Sequence, residues 1–95
     1  MQMPKLGLEN LSDELCFACG EENPIGLKLK PFYDGERVRA EFTAGEYYQG
    51  WENVIHGGIL YTLLDEISAY ALLCKGVDFG VTAKCEVRFR HVAPI

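Results

Sequence analysis

The stretch from Gly57 to Lys75 constrains the fold more than any other part of the chain. Leu60, Leu63, Leu64, Ile67 and Ala71 recur at helical spacing. Ile59, Ala69, Leu72 and Leu73 fill much of the remaining circumference. A helix that is apolar nearly all round must be covered on several sides. Gly76 supplies a stop in the left-handed conformation, and Lys75 lies at the negative end of the helix dipole. The adjacent Asp65 and Glu66, about 100° apart around a helix, break the apolar surface.

The rest of the chain must supply the cover. Leu27 to Tyr33 alternates, with Leu27, Leu29 and Pro31 opposite Lys28, Lys30 and Phe32. Asp34-Gly35 is a hairpin signal. Arg37 to Thr43 alternates again, with Val38, Ala40 and Phe42 opposite Arg37, Arg39 and Glu41. Phe79 to Val92 reads as a long strand, with Cys85, Val87 and Phe89 on one face and Lys84, Glu86, Arg88 and Arg90 on the other. Residues 1–25 form a lead-in, with a short helix expected over Leu8–Leu15 capped by Asn10 or Ser12. Tight turns follow at Cys16–Gly20 and Asn23–Gly26. Ala44 to Val54 is an aromatic-rich loop whose Tyr47, Tyr48 and Trp51 either line a pocket or cover one end of the core.

The expected order is strand–strand–helix–strand in one α+β domain spanning residues 1–95. Three strands are a narrow wrap for so apolar a helix. The expectation is therefore that further C-terminal strands lie outside this chain, or that an oligomer completes the cover.

Composition narrows the function. A net charge of −5 leaves no basic excess for phosphates and argues against general nucleic-acid binding. No stretch reads as long enough to span a membrane, and Met1–Lys5 lacks the apolar core of a signal peptide. A soluble cytoplasmic protein is expected, with Cys16, Cys19, Cys74 and Cys85 reduced.

The chemistry gathers at the start of the helix. The first N–H groups of a helix lack internal partners and favour negative charge. Gly57 and Gly58 would let a ligand approach that backbone closely, so a thioester carbonyl placed there would be polarised and its oxyanion stabilised. The glycines equally suit a turn or close packing, and His56 equally suits a cap or a core position. Asp65 is harder to explain by packing, because a carboxylate on an apolar face costs several kcal/mol unless paired. A salt bridge to a strand arginine is the structural alternative. Asp65 follows Gly57 by eight residues, about 12 Å along a helix axis. One reacting carbon cannot touch both within one subunit. Two antiparallel copies of the helix would bring Asp65 of one to Gly57 of the other, which predicts a two-fold homodimer with composite sites.

The chain resembles the hotdog-fold acyl-CoA thioesterases, in particular the small phenylacetate-pathway type. The matching segments are Cys16-Phe17-Ala18-Cys19-Gly20 with Asn23-Pro24-Ile25-Gly26-Leu27, Tyr48-Gln49-Gly50-Trp51, His56-Gly57-Gly58-Ile59-Leu60 through Leu64-Asp65-Glu66, and Gly80-Val81-Thr82 with the segment to Pro94. The resemblance implies a long central helix wrapped by an antiparallel sheet, and dimers that pair into tetramers. It implies that the Gly57 N–H polarises the thioester carbonyl, that Asp65 is nucleophile or general base, that His56 orients substrate or helix, and that the Thr82 hydroxyl assists the attacking water. Gly58, Glu66 and Asn53 fall on its substrate-binding side. Related enzymes often carry Asn or Gln six residues before the histidine. Gly50 stands there in this chain, with Gln49 beside it and Asn53 nearer the histidine. The family also carries two more strands after the Pro94 region.

The expected function is hydrolysis of acyl-CoA to free acid and CoA, with no metal or redox cofactor. The alternative is a non-catalytic module that binds acyl-CoA or an acyl carrier. Arg88 and Arg90, with Lys84, would meet CoA phosphates if their shared face is not simply solvated. Cys16 and Cys19 make half a zinc site, but no second pair stands at fitting spacing, so structural packing of the turn is the favoured reading.

Overall fold

The computed structural model describes residues 14–76 and 81–95. Its elements are β1 (Phe32–Tyr33), β2 (Val38–Arg39), β3 (Gln49–Trp51), β4 (Val54–Ile55) and α1 (Gly57–Cys74), with a 3₁₀ turn at Glu46–Tyr48 leading into β3. β1 pairs with β2 and β3 with β4, both antiparallel, which makes the chain α+β with one helix and two small sheets among the described residues.

The helix expected over Leu8–Leu15 lies outside the described residues except for Glu14 and Leu15, which begin a turn. From Glu14 the backbone folds back on itself: Gly20 N–H donates to the Cys16 carbonyl at 2.8 Å, and Glu22 N–H to the Glu14 carbonyl at 3.0 Å. A β-carbon at position 20 would collide with that Glu14 carbonyl, so the turn requires glycine. The strand expected over Leu27–Tyr33 pairs in a ladder only at β1. Its first half instead donates to the lead-in turn, Leu27 N–H to the Phe17 carbonyl and Leu29 N–H to the Ala18 carbonyl, both at 2.8 Å. Among the described residues Leu27, Leu29 and Pro31 are buried together with Ala18 and Ala44.

The β1–β2 hairpin turns where Asp34-Gly35 predicts. The Asp34 carboxylate accepts from Glu36 N–H at 2.9 Å and Arg37 N–H at 2.7 Å. The Arg37 and Glu36 amides hold its carboxyl below the usual carboxylate range. A lowered folded-state pKa means that the turn is stabilised above the ordinary carboxylate pKa and loses that contribution as pH falls through the folded value. Amide hydrogen exchange at Glu36 and Arg37 is expected to stay slow down to the ordinary carboxylate range and to accelerate below it. Asp34→Ala is expected to give the fast rates at neutral pH, and Asp34→Asn, which keeps an acceptor, to retain protection.

The expected loop over Ala44–Val54 is largely structured. The chain reverses between β3 and β4 with Asn53 in the left-handed region at φ 62°, a position asparagine tolerates. Tyr47 and Trp51 are 91% and 80% exposed and cover no core, whereas Tyr48 packs edge-on against Phe42 with centroids 5.7 Å apart.

The long strand expected over Phe79–Val92 is not formed in residues 81–92, and Phe79 and Gly80 lie outside the described residues. Alternation specifies two faces but supplies no ladder partner, and backbone hydrogen bonds to a neighbour are what make a strand. Pairing begins only at the end of the segment: Ile55 N–H donates to the Ala93 carbonyl at 2.8 Å, Ile95 N–H to the Asn53 carbonyl at 3.1 Å, and Val54 bridges Pro94. This tail extends the β3–β4 sheet along β4.

α1 matches the helix read from periodicity and ends at Gly76, whose φ is 96°. Its burial does not match, for no α1 side chain is fully buried. Leu64 and Leu72 are 44% and 56% exposed, and with Ser68, Ala71 and Lys75 they form an open strip down one side of the helix. The expectation that no stretch is long and apolar enough to cross a membrane is corrected by α1, whose 18 residues average a hydropathy of 1.2. Two carboxylates at its midpoint oppose insertion, since an acidic group at the centre of a spanning helix costs about 3 kcal/mol.

Candidate active site

Chain geometry around the start of α1 is set by His56. Its backbone is extended at φ −60° and ψ 134°, and its Nδ1 accepts the Gly58 N–H at 2.8 Å. The histidine is thus the helix N-cap, one of the two structural roles open to it in the sequence. Its own N–H donates to the Tyr48 carbonyl at 2.8 Å, which fastens the cap to the 3₁₀ turn. Gly50 makes room for it: a β-carbon there would lie 3.0 Å from His56 Cδ2 and 3.1 Å from its Cα. A side chain at position 50 would therefore press on His56. Gln49 is occupied too, its Oε1 accepting from Asn53 N–H at 3.1 Å across the β3–β4 turn. Gly50→Ala is expected to push the imidazole off its cap and to cost about 1–3 kcal/mol as an overpacking change, read as a lowered Tm. An unchanged Tm would show that the ring has slack.

The cap divides the two glycines. The Gly58 N–H is spent on His56, whereas the Gly57 N–H has no acceptor among the described residues. Gly57 is therefore the open donor at the positive end of α1. The Phe89 ring lies over it, with Cε2 3.6 Å from where a β-carbon would stand.

Eight residues along α1, the half-buried Asp65 accepts a hydrogen bond from the exposed Thr82 hydroxyl, Oγ1 to Oδ1, at 2.6 Å. A hydroxyl-to-carboxylate bond of that length is charge-assisted. The pair crosses from the helix to the C-terminal segment, and the Tyr61 hydroxyl makes a second crossing by donating to the Cys85 carbonyl at 3.2 Å. Two residues that the sequence marks separately are joined here, although the segment carrying Thr82 is not a strand.

The other expected site residues lie elsewhere. Asn53 serves the β3–β4 turn. Arg88 and Arg90 are exposed on the extended segment, with no ion pair among the described residues. Lys84 pairs with Glu86 at 3.7 Å, both exposed. The face expected to carry all three basic residues is not formed, because no strand ladder fixes their alternation.

Glu66 faces a different group of residues from Asp65. Its carboxylate meets the lead-in turn, where Cys16 Sγ, Cys19 Sγ and a Glu66 oxygen lie within 4.8 Å of one another. The Cys19 N–H donates to Cys16 Sγ at 3.4 Å. Burial, followed by a hydrogen bond to Glu66, pushes the Cys19 thiol well up from its ordinary range. Burial and the hydrogen bond with Cys19 do the same for Tyr70. A cleft of about 310 Å³ opens alongside, lined by Cys19, Tyr70, Leu29 and Phe32 among others. The sequence signals the cysteine pair but not its carboxylate partner, which stands 47 positions after Cys19 and reaches it only through packing of α1 on the turn.

No family model, curated protein or solved structure matches this chain.

Proposed function

We propose that this chain hydrolyses acyl-CoA thioesters on a hotdog-type fold, in sites shared between two antiparallel copies of α1. The observation that carries the reading is the 2.6 Å hydrogen bond from Thr82 to Asp65. It fixes a carboxylate oxygen while leaving the hydroxyl lone pairs and the second carboxylate oxygen to hold a water. Asp65 removes a proton from that water as its oxygen attacks the thioester carbonyl. The resulting oxyanion accepts from Gly57 N–H of the partner subunit. Collapse expels CoA as a thiolate, which takes up a proton. The open Gly57 donor, the exposed Leu64 and Leu72 on the open strip of α1 and the His56-Gly57-Gly58 element spaced from Asp65 all support this reading. The exposed Arg88 and Arg90 suit the CoA phosphates.

One observation favours a second reading. The Phe89 ring stands 3.6 Å from where a Gly57 β-carbon would be and narrows access to this end of α1, as suits a module that binds acyl-CoA without turnover. Wild-type protein and Asp65→Asn assayed on a panel of acyl-CoAs separate the two. Turnover that is lost in the variant supports hydrolysis, binding without turnover by wild type selects the module, and wild-type-like turnover by the variant removes Asp65 from the chemistry.

A further inference from the structure

We infer that Cys16, Cys19 and Glu66 form a Zn²⁺ site that pins the lead-in turn to α1. Three observations carry it. The donor atoms already converge, all within 4.8 Å of one another. Tetrahedral zinc with Zn–S distances of about 2.3 Å needs sulfurs about 3.8 Å apart, so closure asks for side-chain adjustments of an ångström or less. The backbone is shaped for a bound thiolate: the Cys19 N–H points at Cys16 Sγ and the Gly20 N–H at the Cys16 carbonyl, closing a Cys-x-x-Cys-Gly knuckle in which an amide neutralises part of the sulfur charge. The knuckle also depends on Gly20, where any β-carbon would strike the Glu14 carbonyl.

The donor set identifies the ion. Two thiolates and one carboxylate select zinc over the hard cations that prefer all-oxygen shells. Three protein donors leave the fourth position to water, and the cleft bordered by Cys19 gives the ion a route in. The site is separate from the Asp65–Thr82 pair and does not depend on thioesterase activity. It gives Glu66 a partner other than substrate, and it would add a cross-link between sequence-distant segments where few apolar side chains are buried among the described residues.

The test is a Co²⁺ titration of the reduced full chain, followed by zinc competition. Expected is one equivalent of Co²⁺ with a thiolate-to-cobalt charge-transfer band and tetrahedral d–d absorption, both erased by one equivalent of Zn²⁺. Glu66→Gln should weaken binding about tenfold or more, and the Cys16→Ser/Cys19→Ser double variant should abolish the charge-transfer band. The wild-type titration needs no variant to fold. A wild-type protein with no charge-transfer band overturns the site, as does a Glu66→Gln affinity equal to wild type, or a Cys16–Cys19 disulfide that persists under the reducing conditions used.

Discussion

Asp65→Asn is expected to lower kcat for acyl-CoA hydrolysis by about 10²–10⁴-fold, the range for loss of a positioned general base, with KM changed little. The amide keeps the shape and can still accept from Thr82 Oγ1, so the 2.6 Å contact and the local fold persist while the proton acceptor is lost. A fall in kcat with constant KM is the signature of an interaction used only in the transition state. Thr82 then provides an internal control. Thr82→Val removes the hydroxyl but keeps the β-branched volume, and should reduce kcat by less than Asp65→Asn does. Thr82→Ser should restore most of the loss. If Thr82→Val and Thr82→Ser fall equally, the hydroxyl has no part in the reaction and the contact is structural.

The second large effect concerns assembly. Wild-type protein is expected to sediment as a dimer or larger, and Leu64→Lys to shift it toward monomer with parallel loss of turnover. Leu64 and Leu72 line the open side of α1 with Ser68 and Ala71 between them, so two helices can approach closely along this strip. An interfacial anchor typically contributes about 2 kcal/mol or more, a factor of about 30 in Kd, and a buried lysine adds its desolvation cost. Asp65 and Gly57 of one chain are about 12 Å apart along the axis, so dissociation should take activity with it. A variant that is monomeric and fully active would remove the composite site while leaving Asp65 chemistry open to test.

What the sequence makes legible follows physical range. α1 and its Gly76 terminus are visible because helical periodicity and left-handed glycine act within a few residues. The Asp34-Gly35 turn is visible for the same reason. The segment from 81 to 92 shows how a local pattern misleads: Val87 and Phe89 alternate with Glu86 and Arg88 as in a strand, yet no neighbouring strand among the described residues pairs with it. Phe89 finds Gly57 instead. Asp65 stands out as a carboxylate on an apolar helix face and Thr82 by resemblance, but no spacing rule joins positions 65 and 82. Cys16, Cys19 and Glu66 illustrate the same limit, with a visible Cys-x-x-Cys and an unseen third donor.

The cap at position 56 carries one more consequence. An imidazole nitrogen that accepts a hydrogen bond has no proton of its own, so the bond from Gly58 N–H fixes His56 in the tautomer protonated at Nε2. The ring therefore presents a donor and no free acceptor to its surroundings. In any reaction at this end of the helix, His56 can hold a carbonyl oxygen through Nε2–H, while its Nδ1 is spent on the Gly58 N–H. In the proposed reaction the way the helix begins thus leaves His56 as a donor and Asp65 as the acceptor.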